Sequence, residues 1–164
     1  MKAAERKGLQ VTAPIPGEAF KVGEAECSIL APVFEGYDKE NNYSVVMKLR
    51  YGNTSFLFTG DAESVSEKDM MRRGYDLSAN VLKLGHHGSI RATTSEFLDR
   101  VSPQYAVISV GKNNSYRHPH KSTMKKLKEK KIKVYRTDEN GTIIAVSDGK
   151  RIVFDKNPGS YNYK

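Results

Sequence analysis

Short apolar runs with strand character alternate with segments of helical character along most of this 164-residue chain. The strand candidates are residues 25–30, 44–50, 54–59, 80–84, 105–110, 132–136, 141–147 and 151–154. The helix candidates are residues 64–73, 95–101 and 122–131. This order predicts an α/β protein with a mixed sheet and flanking helices.

Turn and cap signals connect these elements. The phrases "YGNTS" and "SDGK" predict two hairpins, one between the second and third strands and one between the last two. Thr93 and Glu96 have the spacing of a capping box at the start of the middle helix. We expect a single domain over residues 1–164, with residues 155–164 forming a flexible tail.

Composition limits the kinds of site that the chain can build. The single cysteine, Cys27, excludes an internal disulfide and a cysteine-based zinc cage, so a metal site would have to use His, Asp or Glu. No run reaches the roughly 18 to 20 apolar residues of a membrane helix, and the first residues do not resemble a signal peptide. We therefore expect a soluble chain, whose cellular location the sequence leaves open.

A carboxylate follows the third predicted strand in "TSFLFTGDAES". Asp61 stands just past the end of the strand, beside a glycine that lets the backbone turn closely, which is a usual place for a metal-binding or catalytic carboxylate. The same position also suits a helix N-cap, because a predicted helix comes next.

Two adjacent histidines follow the fourth predicted strand in "NVLKLGHHGS". His86 and His87 repeat the arrangement around Asp61, with an apolar strand, a glycine and then polar side chains. Imidazole is a common ligand of transition metals, which favours a ligand role for one of them. The alternative is one buried, hydrogen-bonded histidine beside one at the surface.

The remaining histidines lie in "NNSYRHPHK". If this segment is extended, His118 and His120 point to opposite sides, so only one of them faces a shared site. The alternative is a surface loop with ordinary histidines. Since Asp61, His86, His87 and His118 all come just after strand-like runs, a layered fold can gather them at one sheet edge as a metal centre.

Positive charge is concentrated in residues 121–133, "KSTMKKLKEKKIK", within a chain of net charge +8. One interpretation is a solvated helix face with Met124 and Leu127 turned inward. The other is a non-catalytic nucleic-acid-binding module. Its phosphate contacts would be Lys125, Lys126, Lys128, Lys130, Lys131 and Lys133.

The phrases "NNYSVVMKLRYGNTSFLFTGDAE", "NVLKLGHHGS", "VISVGKNNSYRHPH" and "VYRTDENGTI" resemble, in order and spacing, the C-terminal half of metallo-β-lactamase-fold hydrolases. Within that group the chain looks most like the hydrolase domain of the competence protein ComEC family. The resemblance implies part of an αββα sandwich with a zinc or manganese site at its open edge.

The resemblance also implies roles for individual residues. Asp61 and His86 or His87 correspond to metal ligands, and His118 corresponds to a residue that orients substrate or transfers a proton. Three further residues would lie beside the metal or the substrate: Lys83, Ser89 and His120.

One departure from the family pattern limits these expectations. The main metal motif, of the H-x-H-x-D-H or H-x-D-x-D-H kind, belongs to the N-terminal half of the fold, and no histidine precedes His86 here. We therefore expect a metal-dependent hydrolase, of phosphodiester or nucleic-acid type and related to DNA uptake, that is incomplete and inactive as this fragment. Its expected partners are an anionic substrate such as DNA and the missing half of the domain, in a parent protein that is a candidate for membrane association.

Overall fold

The computed structural model describes residues 2–163, which form one seven-stranded mixed sheet, a separate two-stranded hairpin and five helices. Strands β1 to β7 lie side by side in chain order: Ala19–Val22, Ala25–Ala31, Val46–Tyr51, Thr54–Phe58, Val81–Lys83, Tyr105–Ile108 and Lys133–Arg136. Strands β1 to β4 are antiparallel to one another, whereas β4 to β7 are parallel. The predicted mixed sheet is therefore confirmed.

Both predicted hairpins are present. Gly52, at φ +54°, lies in the turn between β3 and β4, where Tyr51 pairs with Thr54. Strands β8 (Ala145–Ser147) and β9 (Ile152–Phe154) pair with each other around a turn in which the Asp148 carboxylate accepts the N–H groups of Lys150 and Arg151.

The helices are α1 to α5: Lys2–Arg6, Ser64–Arg72, Ser95–Val101, Lys121–Glu129 and Thr137–Asn140. Helices α2, α3 and α4 confirm the three predicted helices within two residues at each end. The capping prediction for α3 was off by one position: Thr94 is the N-cap, accepting the N–H of Phe97, while Thr93 lies outside the helix at φ +57°. No helix among residues 2–163 is long and apolar enough to cross a membrane.

The core lies between the sheet and helices α2, α3 and α4. Leu57, Leu82, Ala106 and Val134 are register partners across β4 to β7 and all point to this side. Five helical side chains are packed against them: Met70, Phe97, Leu98, Met124 and Leu127. Burying each large apolar side chain stabilises the fold by about 1.5 to 3 kcal/mol, so this layer fixes the parallel half of the sheet.

The opposite face of the sheet is only partly covered. The β8–β9 hairpin contacts β7, where the Phe154 ring stacks on Tyr135 with centroids 3.8 Å apart, and also the β3–β4 turn, where Asn53 donates its N–H to Gly149 O at 2.6 Å. Toward β3 and β4 the same face carries Met47 and Phe56, and Phe58 remains 41% exposed. The sheet therefore has one fully packed side and one side with accessible apolar side chains.

The segment for which the sequence predicts a flexible tail has hydrogen bonds to β7 and to the residue before it. Gly159 donates its N–H to Val134 O at 2.7 Å, and the Tyr161 hydroxyl donates to Ile132 O at 2.7 Å. The Arg136 guanidinium donates to the carbonyl oxygens of Ser160 and Asn162. An aromatic anchor and a buried guanidinium thus hold residues whose composition alone suggested a frayed end; Lys164 lies outside the described residues.

Candidate metal centre

The candidate site lies where parallel strands β4, β5 and β6 end. The carboxyl ends of parallel strands meet at one edge of a sheet, which is where folds of this class place their sites. Asp61 follows β4, the histidine pair follows β5, and the loop carrying His118 follows β6. The predicted convergence at one sheet edge is therefore present.

The histidine pair sits in a tight 3₁₀ turn, Gly85–Gly88, whose backbone conformation is unusual. His86 and His87 both have positive φ, at +47° and +56°, which costs a residue with a side chain about 1 to 2 kcal/mol. Both flanking positions require glycine because neighbouring atoms leave no room for a side chain. A Cβ on Gly85 would lie 2.8 Å from Ala62 O, and one on Gly88 would lie 2.7 Å from Pro119 Cβ. Strain of this kind is found mostly at functional sites.

Hydrogen bonds of the backbone at Gly60 and Asp61 fix the position of Asp61. Its N–H donates to Ser44 Oγ at 3.0 Å, and the preceding Gly60, at φ +52°, accepts the His86 N–H at 3.1 Å. The turn after β4 is therefore bonded directly to the histidine turn after β5. The alternative role as a helix cap is not realised, because the N-cap of α2 is Glu63.

His87 is the histidine that faces Asp61. Its Nε2 lies 3.4 Å from Asp61 Oδ1, while its Nδ1 lies 2.6 Å from the carbonyl oxygen of Ser109. Since a carbonyl can only accept, Nδ1 carries a proton, and Nε2 is the ring nitrogen that faces the carboxylate. A carboxylate oxygen and an imidazole nitrogen at this distance can share a proton or can both bind a metal cation.

His86 turns away from that pair. Its Nδ1 lies 3.3 Å from Glu63 Oε1 and 3.4 Å from Asn41 Nδ2. Burial by itself raises the pKa of Glu63, but the hydrogen bond from Asn41 and the charges of Lys39 and Arg91 hold it below its ordinary value. His86 is thus beside an ionised, nearly buried carboxylate.

Sequence reasoning missed Glu63 and Asn41 as members of this cluster. The available signal was short-range: Glu63 stands two residues after Asp61 in "GDAES", at the start of α2.

His118 is buried against the other imidazoles. Its ring centroid lies 5.5 Å from that of His86 and 6.3 Å from that of His87. Burial, followed by the neighbouring His120, His86 and His87, lowers the pKa of His118 to about 4, while Asp61 opposes the shift. His118 is therefore a neutral imidazole at neutral pH.

The expectation that His118 and His120 point to opposite sides is wrong. Their rings meet edge to face with centroids 4.7 Å apart. The segment is not extended, because Arg117 takes φ +58° and His120 is already the N-cap residue of α4. His120 Nδ1 accepts the N–H of Ile90 at 3.1 Å, which joins the start of α4 to the loop after the histidine turn.

Lys83 and Ser89 flank the cluster. The Lys83 ammonium donates to Leu84 O at 2.9 Å, and burial lowers its pKa while the nearby Asp61 opposes the shift. Ser89 is buried, its Oγ accepts the N–H of Arg91, and its carbonyl oxygen accepts the hydroxyl of Thr123. In this structure both residues contact the protein around the histidines.

The predicted ligands are of the types that bind divalent metals, but too few of them face one another to complete a site. Within residues 2–163, no group of three or more His, Cys, Asp or Glu side chains is arranged to hold a metal ion. A zinc site takes four protein ligands when closed, or three and a water when catalytic. The Asp61 and His87 pair alone provides two facing donors, with His86 and His118 adjacent.

Known proteins resemble this chain across the same region. ComE operon protein 3 of Bacillus subtilis (strain 168) is 36% identical over 143 residues, covering 87% of this chain and 18% of that protein. Competence protein ComA of Neisseria gonorrhoeae is 31% identical over 156 residues, covering 83% of this chain and 23% of that protein. Recombination protein 2 of Haemophilus influenzae is 36% identical over 104 residues, covering 63% and 13%.

The chain thus spans less than a quarter of the length of these relatives. Their names confirm the resemblance to the competence protein ComEC family inferred from the motifs. A sequence model of the Metallo-beta-lactamase superfamily matches residues 3–112, which include Asp61 and the histidine turn. With that match and this mixed sheet, the chain belongs to the metallo-beta-lactamase superfamily.

Proposed function

We propose that this chain carries part of the centre of a divalent-metal-dependent hydrolase that cleaves phosphodiester bonds in nucleic acid. One observation carries the proposal: His87 Nε2 and Asp61 Oδ1 face each other at 3.4 Å while Ser109 O holds the proton on Nδ1. A neutral imidazole fixed in this tautomer by a carbonyl is the usual state of a metal ligand.

Each residue of the cluster has a distinct role in this proposal. Asp61 and His87 would hold the metal, zinc or manganese, and His86 would stay oriented by Glu63 and Asn41 beside them. A bound divalent cation supplies Lewis acidity toward a phosphoryl oxygen and lowers the pKa of water. The buried His118 is the catalytic residue that orients the substrate or moves a proton to or from it.

The remaining ligands would come from polypeptide outside this chain. Two facing donors are fewer than a zinc site requires, and the apolar sheet face around Phe56 and Phe58 offers a surface on which further protein can pack. The partner in this proposal is the rest of the domain, and this fragment alone is inactive.

The charge of the chain and the names of the relatives support the proposed substrate class. The net charge of +8 favours an anionic substrate, and one of the similar proteins is named for competence and another for recombination. These names support a DNA-related role, in uptake or recombination, for the protein to which this chain belongs.

Hydrolysis by a longer protein that contains this chain tests the proposal. With Mn²⁺ or Zn²⁺ present, we expect it to cleave DNA, and we expect Asp61→Asn and His87→Gln to lower the rate at least about 100-fold because each removes a metal donor. Asp99→Asn, at an exposed carboxylate on α3, is the matched control and should leave the rate unchanged. Cleavage that persists in both site variants would contradict the proposal.

A second candidate function, a non-catalytic nucleic-acid-binding module, is favoured by the exposed face of α4 and the residues after it. Of the six lysines predicted as phosphate contacts, Lys126 is half-buried and donates to Thr93 O, and the other five are exposed. Lys121, at the start of α4, is exposed too, while Met124 and Leu127 are turned into the core. This function predicts salt-sensitive DNA binding that survives Asp61→Asn and His87→Gln, in a protein that never cleaves.

A further inference from the structure

The loop between β6 and α4 is pinned by one side chain. The amide nitrogen of Asn114 donates to Gly111 O at 3.0 Å and to His118 O at 2.7 Å, and its amide oxygen accepts the His118 N–H at 2.9 Å. These three hydrogen bonds close the loop on itself. Residues between Asn114 and His118 are therefore presented on a framed turn beside the candidate metal centre.

Tyr116 lies at the tip of that turn. Nothing else in the described residues explains why its aromatic ring lies in water. It is 74% exposed, the largest exposed fraction among the large hydrophobic side chains of residues 2–163. Its ring lies nearly parallel to that of His118, at 23° and 5.8 Å between centroids. His118 in turn lies nearly parallel to His87, at 22° and 6.3 Å.

The rings of Tyr116, His118 and His87 therefore form a series of roughly parallel planes from solvent to the Asp61 and His87 pair. An exposed ring in such a series offers a flat apolar face at the entrance of the site. Stacking on a planar group would remove that face from water.

The charges around Tyr116 favour an anionic partner. Residues 111–121 contain Lys112, Arg117 and Lys121 and no acidic residue. All three side chains are exposed, and Lys121 lies at the start of α4. A planar group flanked by negative charges is the chemistry of a nucleotide, because bases stack on aromatic rings while Lys and Arg contact the phosphates.

We propose that Tyr116 is a stacking platform for a nucleobase of a single-stranded nucleic acid whose neighbouring phosphodiester lies at the Asp61 and His87 pair. Lys112 and Arg117 contact the flanking phosphates. This inference rests on the proposed function and extends it, since it assigns a single-stranded substrate and a residue that selects for bases.

Binding of two matched oligonucleotides to the 164-residue chain tests the inference. The first is a short fluorescently labelled oligodeoxythymidine, and the second has the same backbone and charge but abasic sugars. Anisotropy at low ionic strength should show that the wild-type chain binds the first more tightly. Tyr116→Ala should weaken that binding on the order of tenfold and leave abasic binding unchanged, whereas Tyr116→Phe should retain the preference.

Phe20→Ala is the control, because it removes a half-exposed ring from the edge strand β1. Equal losses for both oligonucleotides in Tyr116→Ala, or no loss for either, would overturn the platform. So would a wild-type chain that binds neither.

The same experiment separates this inference from the proposed function. If base-dependent binding requires Tyr116 but the longer protein with metal does not cleave DNA, the platform stands and the hydrolase proposal fails. If the longer protein cleaves DNA and abasic backbone equally well and Tyr116→Ala changes neither rate, the hydrolase stands and the platform is overturned.

Discussion

Lys48 is a nearly buried lysine, and the carboxylate of Asp76 is its counterion. The residue is 8% exposed on β3, and its ammonium lies 2.6 Å from Asp76 Oδ2 and 3.2 Å from Asp76 O. The hydrogen bond from Lys48, and then the one from Ser78, lower the pKa of Asp76 to about 2. Removing this partner would leave a nearly buried charge without its counterion, which is costly.

This pair predicts a stability change in acid. Because the pKa of Asp76 is depressed on folding, its contribution is complete above the unfolded value of about 3.9 and is lost as the pH falls toward 2. The Asp76 side chain is 75% exposed, so solvent screening limits the loss to about 1 kcal/mol.

Urea unfolding of wild type and Asp76→Asn at pH values from about 5 to about 2, the window set by the two pKa values, measures this loss. The variant should be less stable at the upper end and should approach wild type at the lower end. A constant difference across the whole range would show that Asp76 does not titrate with folding.

At the scale of elements, residues 85–94, from the histidine turn to the start of α3, are held by contacts with α2 and α4. The Glu67 carboxylate, buried in α2, accepts the N–H groups of Thr93 and Thr94 just before α3. His120 accepts from Ile90 and donates its own N–H to Gly88 O at 3.0 Å. The histidines are therefore placed by contacts with α2 and α4, which compensate for their strained backbone.

Gly88 is the position in this turn where a side chain would be tolerated least. It has φ +82°, and a Cβ would lie 2.7 Å from Pro119 Cβ and 3.3 Å from Pro119 Cα. We expect Gly88→Ala to destabilise the fold by about 3 kcal/mol, combining left-handed strain with overpacking, and to shift the NMR signals of the histidine rings. Gly23→Ala is matched in φ, at +61°, but meets nothing within 4 Å, so it should cost about 1 kcal/mol and leave those signals in place. Equal effects of the two substitutions would contradict the crowding.

The elements also show why some features could be predicted from the sequence and others could not. Apolar runs in the sequence predict the buried strands β4 to β7. All four residues of β1 are exposed and join the sheet through backbone pairing, so no hydrophobic pattern predicts this strand. Asp61 and the histidines could be assigned to one sheet edge because each follows a strand. The direction in which His86 turns and the contact of His118 with His120 depend on positive φ values in loops, which the sequence does not reveal.

At the scale of the whole molecule, the candidate site and the accessible sheet face raise the same expectation. The site has two facing donors at the edge of the sheet, and Phe58, on the sheet face that the β8–β9 hairpin contacts, stays 41% exposed. A metal centre needs more donors, and an apolar face favours more protein. Both deficits are removed if further polypeptide packs on that face and brings ligands to the edge.

Metal affinity tests whether the site lacks ligands. We expect the 164-residue chain to bind Zn²⁺ or Mn²⁺ weakly, and a version extended at its N-terminus to bind tightly and stoichiometrically, because ligand number sets the affinity. Isothermal titration calorimetry of the two proteins makes the comparison. His87→Gln should abolish the weak binding by the short chain, whereas His120→Gln, which removes an imidazole bonded to Ile90, should not. Tight stoichiometric binding by the short chain alone would contradict the inference, since the facing pair of Asp61 and His87 would then have its remaining ligands within residues that already surround it.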